Sequence, residues 1–243
     1  MIAKNLDNIN LEEFPVVIFG SGPAGLTTAL ELEKKKIKCL VIEAGEEDHS
    51  KASQNFYKGK VIGDPLTDIS HSRLRQFGGT SGHWGGWCKP MENYSFDSWP
   101  TKAKDLEGYA DKTCKILAIK NQFNQSKLNN YFNQIQFQYS KVRFAKKYKK
   151  HIKNSKYIHL VLNTQLSHFE GENKVVTNAV CISRNLTKKI KSKYFILSCG
   201  GIENSRILLW AKEQNNKLFH KNLPIGQYWM NHPWIIAGIG LVN

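Results

Sequence analysis

The 243-residue sequence lacks the run of about twenty apolar residues that a membrane-spanning helix requires. Its first residues, MIAKNLDNINLEEF, include one lysine and several acids, whereas a secretion signal has a basic start and an apolar block. We therefore expect no transmembrane segment and an intracellular, cytoplasmic protein.

Paired cysteine motifs are also missing. The five cysteines lie far apart, form no CxxC pair and are odd in number: Cys39, Cys88, Cys114, Cys181 and Cys199. Irregular spacing of this kind matches neither a zinc site nor a disulfide framework. The sequence therefore predicts reduced thiols and no metal site.

Acidic residues are scarce in the second half of the chain. Residues 1–110 carry 13 Lys or Arg against 15 Asp or Glu, and the rest carries 22 against 5, which gives the net charge of +15. The densest basic cluster, KVRFAKKYKKHIK at 141–153, has interleaved aromatic residues and is compatible with nucleic-acid binding. No recognised nucleic-acid motif accompanies it, so we favour a solvated basic face and expect no nucleic-acid partner.

A βαβ unit is predicted near the N-terminus. PVVIFG (15–20) and KCLVIEAG (38–45) are short apolar runs typical of buried parallel strands. Between them lie the turn GSGPAG and LTTALELEKKK, which has helical spacing. Strand, glycine turn, helix and strand in this order predict a dinucleotide-binding unit.

The glycines of the turn fit that interpretation. Gly20 permits the tight turn, Gly22 lets the backbone approach a pyrophosphate, and Gly25 allows the helix to pack closely on the strand. Pro23 and Ala24 lead into the helix, whose N-terminus offers free N–H groups and a partial positive charge to phosphates.

Glu43 stands at the end of the second strand, 18 residues beyond Gly25. A carboxylate at this place is expected to accept hydrogen bonds from ribose hydroxyls. An acid there disfavours a 2′-phosphate, so FAD or NAD fits better than NADP.

Five blocks resemble the glucose-methanol-choline oxidoreductases, in the same order along the chain: GSGPAG, VIEAG, RQFGGTSGHWGG, LSCGGIENSRILL and IGQYWMNHP. The resemblance spans roughly residues 14–236, and the third and fourth blocks are its most specific part. It implies an FAD enzyme that oxidises CH–OH groups of alcohols or sugars by hydride transfer to the flavin. The substrate would be a small alcohol or sugar, with an electron acceptor that the sequence does not specify.

The resemblance also implies a fold. We expect an α/β, Rossmann-like FAD-binding domain of the two-dinucleotide-binding type, with a β-meander and a partial substrate-domain insertion. The FAD-binding domain would comprise residues 1–92 and 156–233. Residues 93–155 would form the insertion toward the substrate side, and 234–243 the start of a truncated substrate domain.

The stretch RQFGGTSGHWGGWC, residues 75–88, would lie along the FAD near its flavin. By this resemblance Gly78 and Gly79 let the main chain lie against the flat cofactor. Thr80 and Ser81 would hydrogen-bond to it.

His83 and Trp84 resemble a pair that, in sugar-oxidising members of the family, includes a histidine covalently attached to the flavin. A covalent link at His83 is therefore a hypothesis. For Trp84 and Trp87, core packing is an equally good interpretation.

Further cofactor contacts are expected elsewhere in the motifs. Ala44 and Arg75 belong to the second and third blocks, and Cys199 and Gly200 follow the returning strand. Glu203, Asn204 and Arg206 open the next helix, either as ordinary helix-capping residues or as functional ones.

The catalytic base is not assigned to any residue of the sequence. Removal of a hydride from a carbinol carbon needs a base for the hydroxyl proton, and histidine suits this role near neutral pH. In the family this histidine lies in the C-terminal part, so we expect it beyond residue 243. His232 is predicted to be structural.

We therefore favour a fragment of a longer oxidoreductase over a chain completed by a partner polypeptide. The alternatives are a non-catalytic flavin-binding module and, less favoured, a basic binder of nucleic acid or another anionic surface.

Overall fold

A computed structural model describes residues 1–63, 68–184, 186–220 and 222–230. The strands, in chain order from β1 to β12, are Ile2–Ala3, Val16–Phe19, Cys39–Ile42, Trp87–Cys88, Gln125–Lys127, Asn133–Ile135, Gln138–Tyr139, Ile158–Val161, Thr164–Glu172, Val175–Ser183, Leu186–Lys191 and Tyr194–Leu197. The α-helices, α1 to α5, are Pro23–Lys34, Lys51–Gln54, Ala110–Leu117, Phe144–Asn154 and Gly201–Gln214.

A five-stranded parallel sheet organises the fold, with the strand order β1-β8-β3-β2-β12. The two central strands, β2 and β3, are buried along their whole length, as the apolar runs VVIF and CLVI predict. Successive side chains of β2 point to opposite faces, so Val16 and Ile18 join one hydrophobic cluster while Val17 and Phe19 join the other.

Helices α1 and α4 cover one face of this sheet. Leu26 and Ala29 of α1 and Ile152 of α4 are fully buried there, and Phe144 is 1 % exposed. Helix α4 lies within residues 93–155, so part of the range predicted to be an insertion contributes to the core of the parallel sheet. The division into domains stays a prediction.

The opposite face is covered by α5 and by the antiparallel sheet β9–β10–β11. The expected α/β class with a β-meander is thus confirmed. Within residues 156–197 the runs YIHLVLNTQL, KVVTNAVCIS and KSKYFILSCGG predict three strands, but the structure has five, β8 to β12. The first run divides at Asn163, whose φ of +51° separates β8 from β9, and the lysine-rich β11 lacks an apolar signature.

The sequence of residues 91–154 predicts a mainly helical and irregular segment, but the structure has two short strand pairs with partners there. They are β4 with β7 and β5 with β6. The strands β5 and β6 are exposed along their whole length, so no burial pattern marks them in the sequence.

Two sequence predictions lie outside the described residues: the structural role of His232 and the substrate-domain start at 234–243. Within the described ranges, none of the helices is both long and apolar enough to cross a bilayer. All five cysteines are free thiols.

Gly25→Ala is expected to destabilise the fold. A Cβ at this position would lie 2.0 Å from the carbonyl oxygen of Gly20, where the backbone of α1 meets the first turn. Overpacking costs about 1–3 kcal/mol, and a clash with backbone belongs at the upper end of that range. The midpoint of urea unfolding should fall accordingly.

Gly108→Ala is the matched control, because a Cβ at Gly108 meets nothing within 4 Å. Its free energy of unfolding should stay within about 0.5 kcal/mol of the wild-type value. Equal unfolding midpoints for the two variants would contradict the close helix–turn contact.

Candidate functional site

A cavity of about 830 Å³ opens at the carboxyl ends of β2, β3 and β12. Open α/β sheets bind their ligands at this edge, and the volume lies within the roughly 300–1,000 Å³ of small-molecule sites. Many of the residues predicted from the sequence to bind the cofactor line it: Gly20, Gly22, Pro23, Ala24, Glu43, Ala44, Arg75, Gly79, Thr80, Cys199 and Gly200.

The first glycine loop forms one wall of the cavity. Gly20 has a φ of +97°, and a Cβ there would lie 2.6 Å from the carbonyl oxygen of Ser198. A Cβ on Gly22, in contrast, would meet no atom within 4 Å. The missing side chain of Gly22 therefore leaves open space in the cavity wall, as close approach of a ligand to the backbone requires.

Two helices begin at the cavity. Gly22 is the N-cap of α1 and Gly200 the N-cap of α5, and neither has a side chain that caps the helix. The first N–H groups of a helix lack intrahelical partners and carry a partial positive charge. Two such termini facing one cavity favour an anionic ligand such as a pyrophosphate.

Glu43 follows β3 and is 6 % exposed. Its Oε2 accepts hydrogen bonds from the backbone N–H and the hydroxyl of Ser21, at 3.0 and 2.6 Å. Its Oε1 accepts one from the backbone N–H of Gly45 at 2.8 Å. A carboxylate offers about four acceptor positions, so one stays open to a hydroxyl donor.

The pKa of Glu43 is raised, because burial removes water from the carboxylate. The hydrogen bonds from Ser21 and Gly45 and the charge of Arg75 oppose the shift.

Arg75 is 9 % exposed and joins two parts of the cavity wall. It donates from Nη1 to the hydroxyl of Ser53 and from Nη2 to Oε1 of Gln165, both at 2.9 Å. Its guanidinium carbon lies 4.4 Å from the ring centroid of Phe56. Burial lowers the pKa of Arg75, but an arginine keeps its proton in proteins and leaves a fixed positive charge here.

Two further arginines line the cavity beside one glutamate. Arg206 donates to Oε1 of Glu203, and Nη1 of Arg73 lies 3.8 Å from the other carboxylate oxygen. That Nη1 is buried and makes no hydrogen bond. The arginines at 73, 75 and 206 outnumber Glu43 and Glu203, so the wall has a net positive charge.

The returning strand β12 leads into the cavity through small residues. The hydroxyl of Ser198 donates to the carbonyl oxygens of Phe19 and Gly20, at 2.7 and 3.0 Å. Burial raises the pKa of Cys199 to about 12, so its thiol stays protonated at neutral pH. Gly200 has a φ of +85°, which a residue with a side chain rarely adopts.

The glycine-rich stretch 75–88 divides between the cavity and the protein core. A Cβ on Gly79 would lie 3.0 Å from Cα of Gly22, so the two glycine loops touch at the cavity. Gly78 has a φ of +82° and lies against Ala145 at the start of α4, outside the cavity lining. The helical Gly25 likewise packs on the first turn.

Ser81, Trp84 and His83 point away from the cavity lining. The hydroxyl of Ser81 donates to Gly78 and accepts from the backbone N–H of Phe144, and Trp84 Nε1 donates to the carbonyl oxygen of Val142. The ring nitrogens of His83 face the carbonyl oxygens of Thr80 and His71, at 3.2 and 3.1 Å. Trp87 is 69 % exposed. Ser81 and Trp84 thus fasten the stretch to the start of α4 and the residues before it, and His83 fastens it to the loop at His71.

Sequence reasoning missed several residues of the lining. They lie in the loop before residue 75, in α5 and in the segment 222–230: Phe56, Tyr57, Arg73, Trp210 and Trp229. Gln165 of β9, which the resemblance implies to be near the adenine end of the cofactor, also lines the cavity. The aromatic pair Phe56–Tyr57 within a polar loop was the one sequence signal for these lining residues. No local pattern in the sequence indicates that this loop packs near the parallel sheet.

The chain matches the family described as "FAD binding domain" over residues 15–59. No curated protein matches it. Pyridoxine 4-oxidase from Mesorbium loti has a similar structure, with 14 % identity and a TM-score of 0.57, covering 81 % of this chain and 51 % of that one.

A new fungal aryl-alcohol oxidase gives 12 % identity and a TM-score of 0.56, over 80 % of this chain and 47 % of that one. An FAD-dependent oxidoreductase from Chaetomium thermophilum has 13 % identity and a TM-score of 0.57, covering 84 % of this chain and 49 % of that one. The chain has the fold of the FAD-binding part of the glucose-methanol-choline oxidoreductases. It spans about half the length of the structures that it matches.

An FAD-binding domain implies FAD as the cofactor, and the cavity fits this group. Its wall is positively charged, two helix N-termini face it, and the open position of Gly22 admits a ligand to the backbone. Neither the comparisons nor the position of His83 supports the hypothesis of a covalent link to the flavin. Within the described residues, no group of three or more metal-ligating side chains comes together.

Glu43→Gln is expected to remove one pH dependence from the free energy of unfolding. Folding raises the pKa of Glu43 above its ordinary value of 4.5. The protonated carboxyl therefore contributes fully to stability below pH 4.5, and this contribution is lost as the pH rises through the pKa of the folded state. Relative to the variant, the wild type should lose up to about 1.4 kcal/mol per pH unit in that window. Urea unfolding at a series of pH values measures the difference.

Glu12→Gln serves as the control, because Glu12 is exposed. It removes one carboxyl from an exposed position and should keep the pH-dependent loss of stability that is assigned to Glu43. If the difference in free energy of unfolding between the wild type and Glu43→Gln is the same at every pH, Glu43 has the same pKa in the folded and unfolded chains and the prediction is wrong.

Proposed function

We propose that this chain is the cofactor-binding part of an FAD-dependent oxidoreductase that acts on CH–OH groups of alcohols or sugars. The observation that carries the proposal is the pair of uncapped helix N-termini, at Gly22 and Gly200, facing one positively charged cavity. When bound, FAD supplies a two-electron acceptor for a hydride. The chain's own residues bind and orient it.

Each part of the cavity has a role in this proposal. The N-termini of α1 and α5 hold phosphate oxygens through their free N–H groups. Glu43 accepts a hydrogen bond from a ribose hydroxyl with its remaining acceptor position. Arg75 keeps Gln165 in place, so that β9 forms the adenine side of the site.

The proton acceptor of the reaction belongs elsewhere. No histidine lines the cavity in the described part of the chain, and the nearby Cys199 is held protonated by burial. We therefore propose that a further polypeptide segment or a partner chain supplies the base, as the half-length match to known structures suggests. A flavin-binding module without catalysis is the second candidate, and the same lack of a histidine favours it.

The exposed surface of segment 87–139 fits contact with a further polypeptide segment or a partner chain. It carries large apolar side chains that are exposed, among them Trp87, Tyr131, Phe132 and Phe137. Trp87, Ile135 and Phe137 line one shallow pocket, and exposed apolar patches mark interaction sites. We propose that the remaining part of the fold covers it.

Gly22→Val is expected to abolish FAD binding without unfolding the chain. The Cβ of the added side chain meets no protein atom within 4 Å, so the side chain occupies space at the cavity wall. FAD at about a hundred times its dissociation constant should stabilise the wild type by about 2.7 kcal/mol and the variant by nothing. Flavin fluorescence titration and thermal unfolding measure both effects.

Gly108→Val is the matched control, since its Cβ also has open space and it lies outside the cavity lining. It should bind FAD as the wild type does. FAD binding by Gly22→Val with wild-type affinity, or a wild type that FAD does not stabilise, would refute the site.

The 243-residue chain is expected to hold FAD without turning over. With an artificial electron acceptor and a panel of alcohols and sugars, the FAD-loaded chain should show no acceptor reduction above that of free FAD. Reduction that depends on one of these substrates would place the base within the chain and overturn the proposal that it is supplied from elsewhere.

A further inference from the structure

A long stretch of the chain has positive charges and no negative ones. Residues 112–169 contain twelve Lys or Arg and no Asp or Glu, although about one residue in twelve is acidic over the whole chain. Like charges repel one another, so this arrangement costs stability unless an anionic partner offsets it. All of these residues are described by the structure.

Helix α4 concentrates part of this charge on one face. Lys146, Lys149, Lys150 and Lys153 are exposed and follow the i, i+3, i+4, i+7 spacing of a single helix face. The opposite face, with Phe144, Tyr148 and Ile152, packs on the parallel sheet. We call the four exposed lysines the lysine stripe.

Acids from other elements neutralise little of the stripe. Lys149 pairs with Glu47. Next to the stripe, His151 pairs with Glu33. Lys146, Lys150 and Lys153 form no ion pair with an acid in the described ranges, and Lys141 and Lys156 add exposed charge at either end of the helix.

The chemistry of the stripe argues against a protein partner. Protein–protein interfaces have an apolar core and are depleted in lysine. On α4 the large apolar side chains are turned to the sheet: Phe144 is 1 % exposed and Ile152 is fully buried.

The geometry also disfavours nucleic acid. The rings of Phe144 and Tyr148 pack on each other beneath the helix, 5.5 Å apart, so they offer no platform for stacked bases. The N-terminus of α4 does not reach base edges, because the backbone N–H of Phe144 is bound by Ser81 and Ala145 lies against Gly78.

We propose that the lysine stripe binds the headgroups of an anionic lipid bilayer, with α4 lying parallel to the membrane surface. The apolar face of α4 packs on the sheet, which leaves the unpaired Lys146, Lys150 and Lys153 on one exposed side of the helix. Four to eight basic residues on an amphipathic helix suit anionic headgroups, each contributing about 1 kcal/mol near the surface.

Sedimentation with lipid vesicles tests the proposal on the whole chain. The wild type should bind phosphatidylcholine vesicles that contain phosphatidylglycerol, and pure phosphatidylcholine vesicles much more weakly. About 1 M salt should release it, because the Debye length then falls to about 3 Å. The triple variant Lys146→Gln, Lys150→Gln, Lys153→Gln should bind on the order of a hundredfold more weakly.

A second triple variant, Lys174→Gln, Lys191→Gln, Lys217→Gln, removes the same charge outside the acid-free stretch and should bind like the wild type. Unchanged urea unfolding confirms that both variants fold. Equal losses in the two variants, or no preference for anionic vesicles, would overturn the proposal. Stripe-dependent binding to duplex DNA that exceeds binding to vesicles would assign the stripe to nucleic acid instead.

Discussion

The backbone contact around Gly20 determines where the rest of the site lies. The backbone N–H of Gly20 donates to Ile42 at 2.8 Å, while its carbonyl oxygen accepts from the hydroxyl of Ser198 and touches Gly25. The ends of β2, β3 and β12 and the start of α1 thus meet within one turn. Because side chains at Gly20 and Gly25 are excluded, α1 and α5 both begin at the same cavity, and Glu43 comes to its edge.

The sequence predicts the parts of the fold that rest on local patterns. Two buried strands, a glycine turn and α1 were expected from apolar runs and spacing, and α5 from the motif that opens it. The strand β11 was missed because its lysines show no alternation. The lining residues Tyr57 and Arg73 were missed because only tertiary contacts bring their loop to the sheet, and a single sequence does not record such contacts.

Resemblance located the glycine-rich stretch but not the directions of its side chains. Gly79 and Thr80 line the cavity. In contrast, Ser81 accepts from the first backbone N–H of α4, and Trp84 donates to the backbone just before α4. A motif fixes the order of residues along the chain, and packing decides which of them face a ligand. Cofactor contacts therefore stay predictions for each residue, although the fold is shown.

The bond between Ser81 and the first residue of α4 links two surfaces that are distant along the chain. Gly79 and Thr80 line the cavity, and the following Ser81 holds the N-terminus of the helix that displays the lysine stripe. Adjacent residues therefore supply the cavity lining and the contact that holds the start of α4.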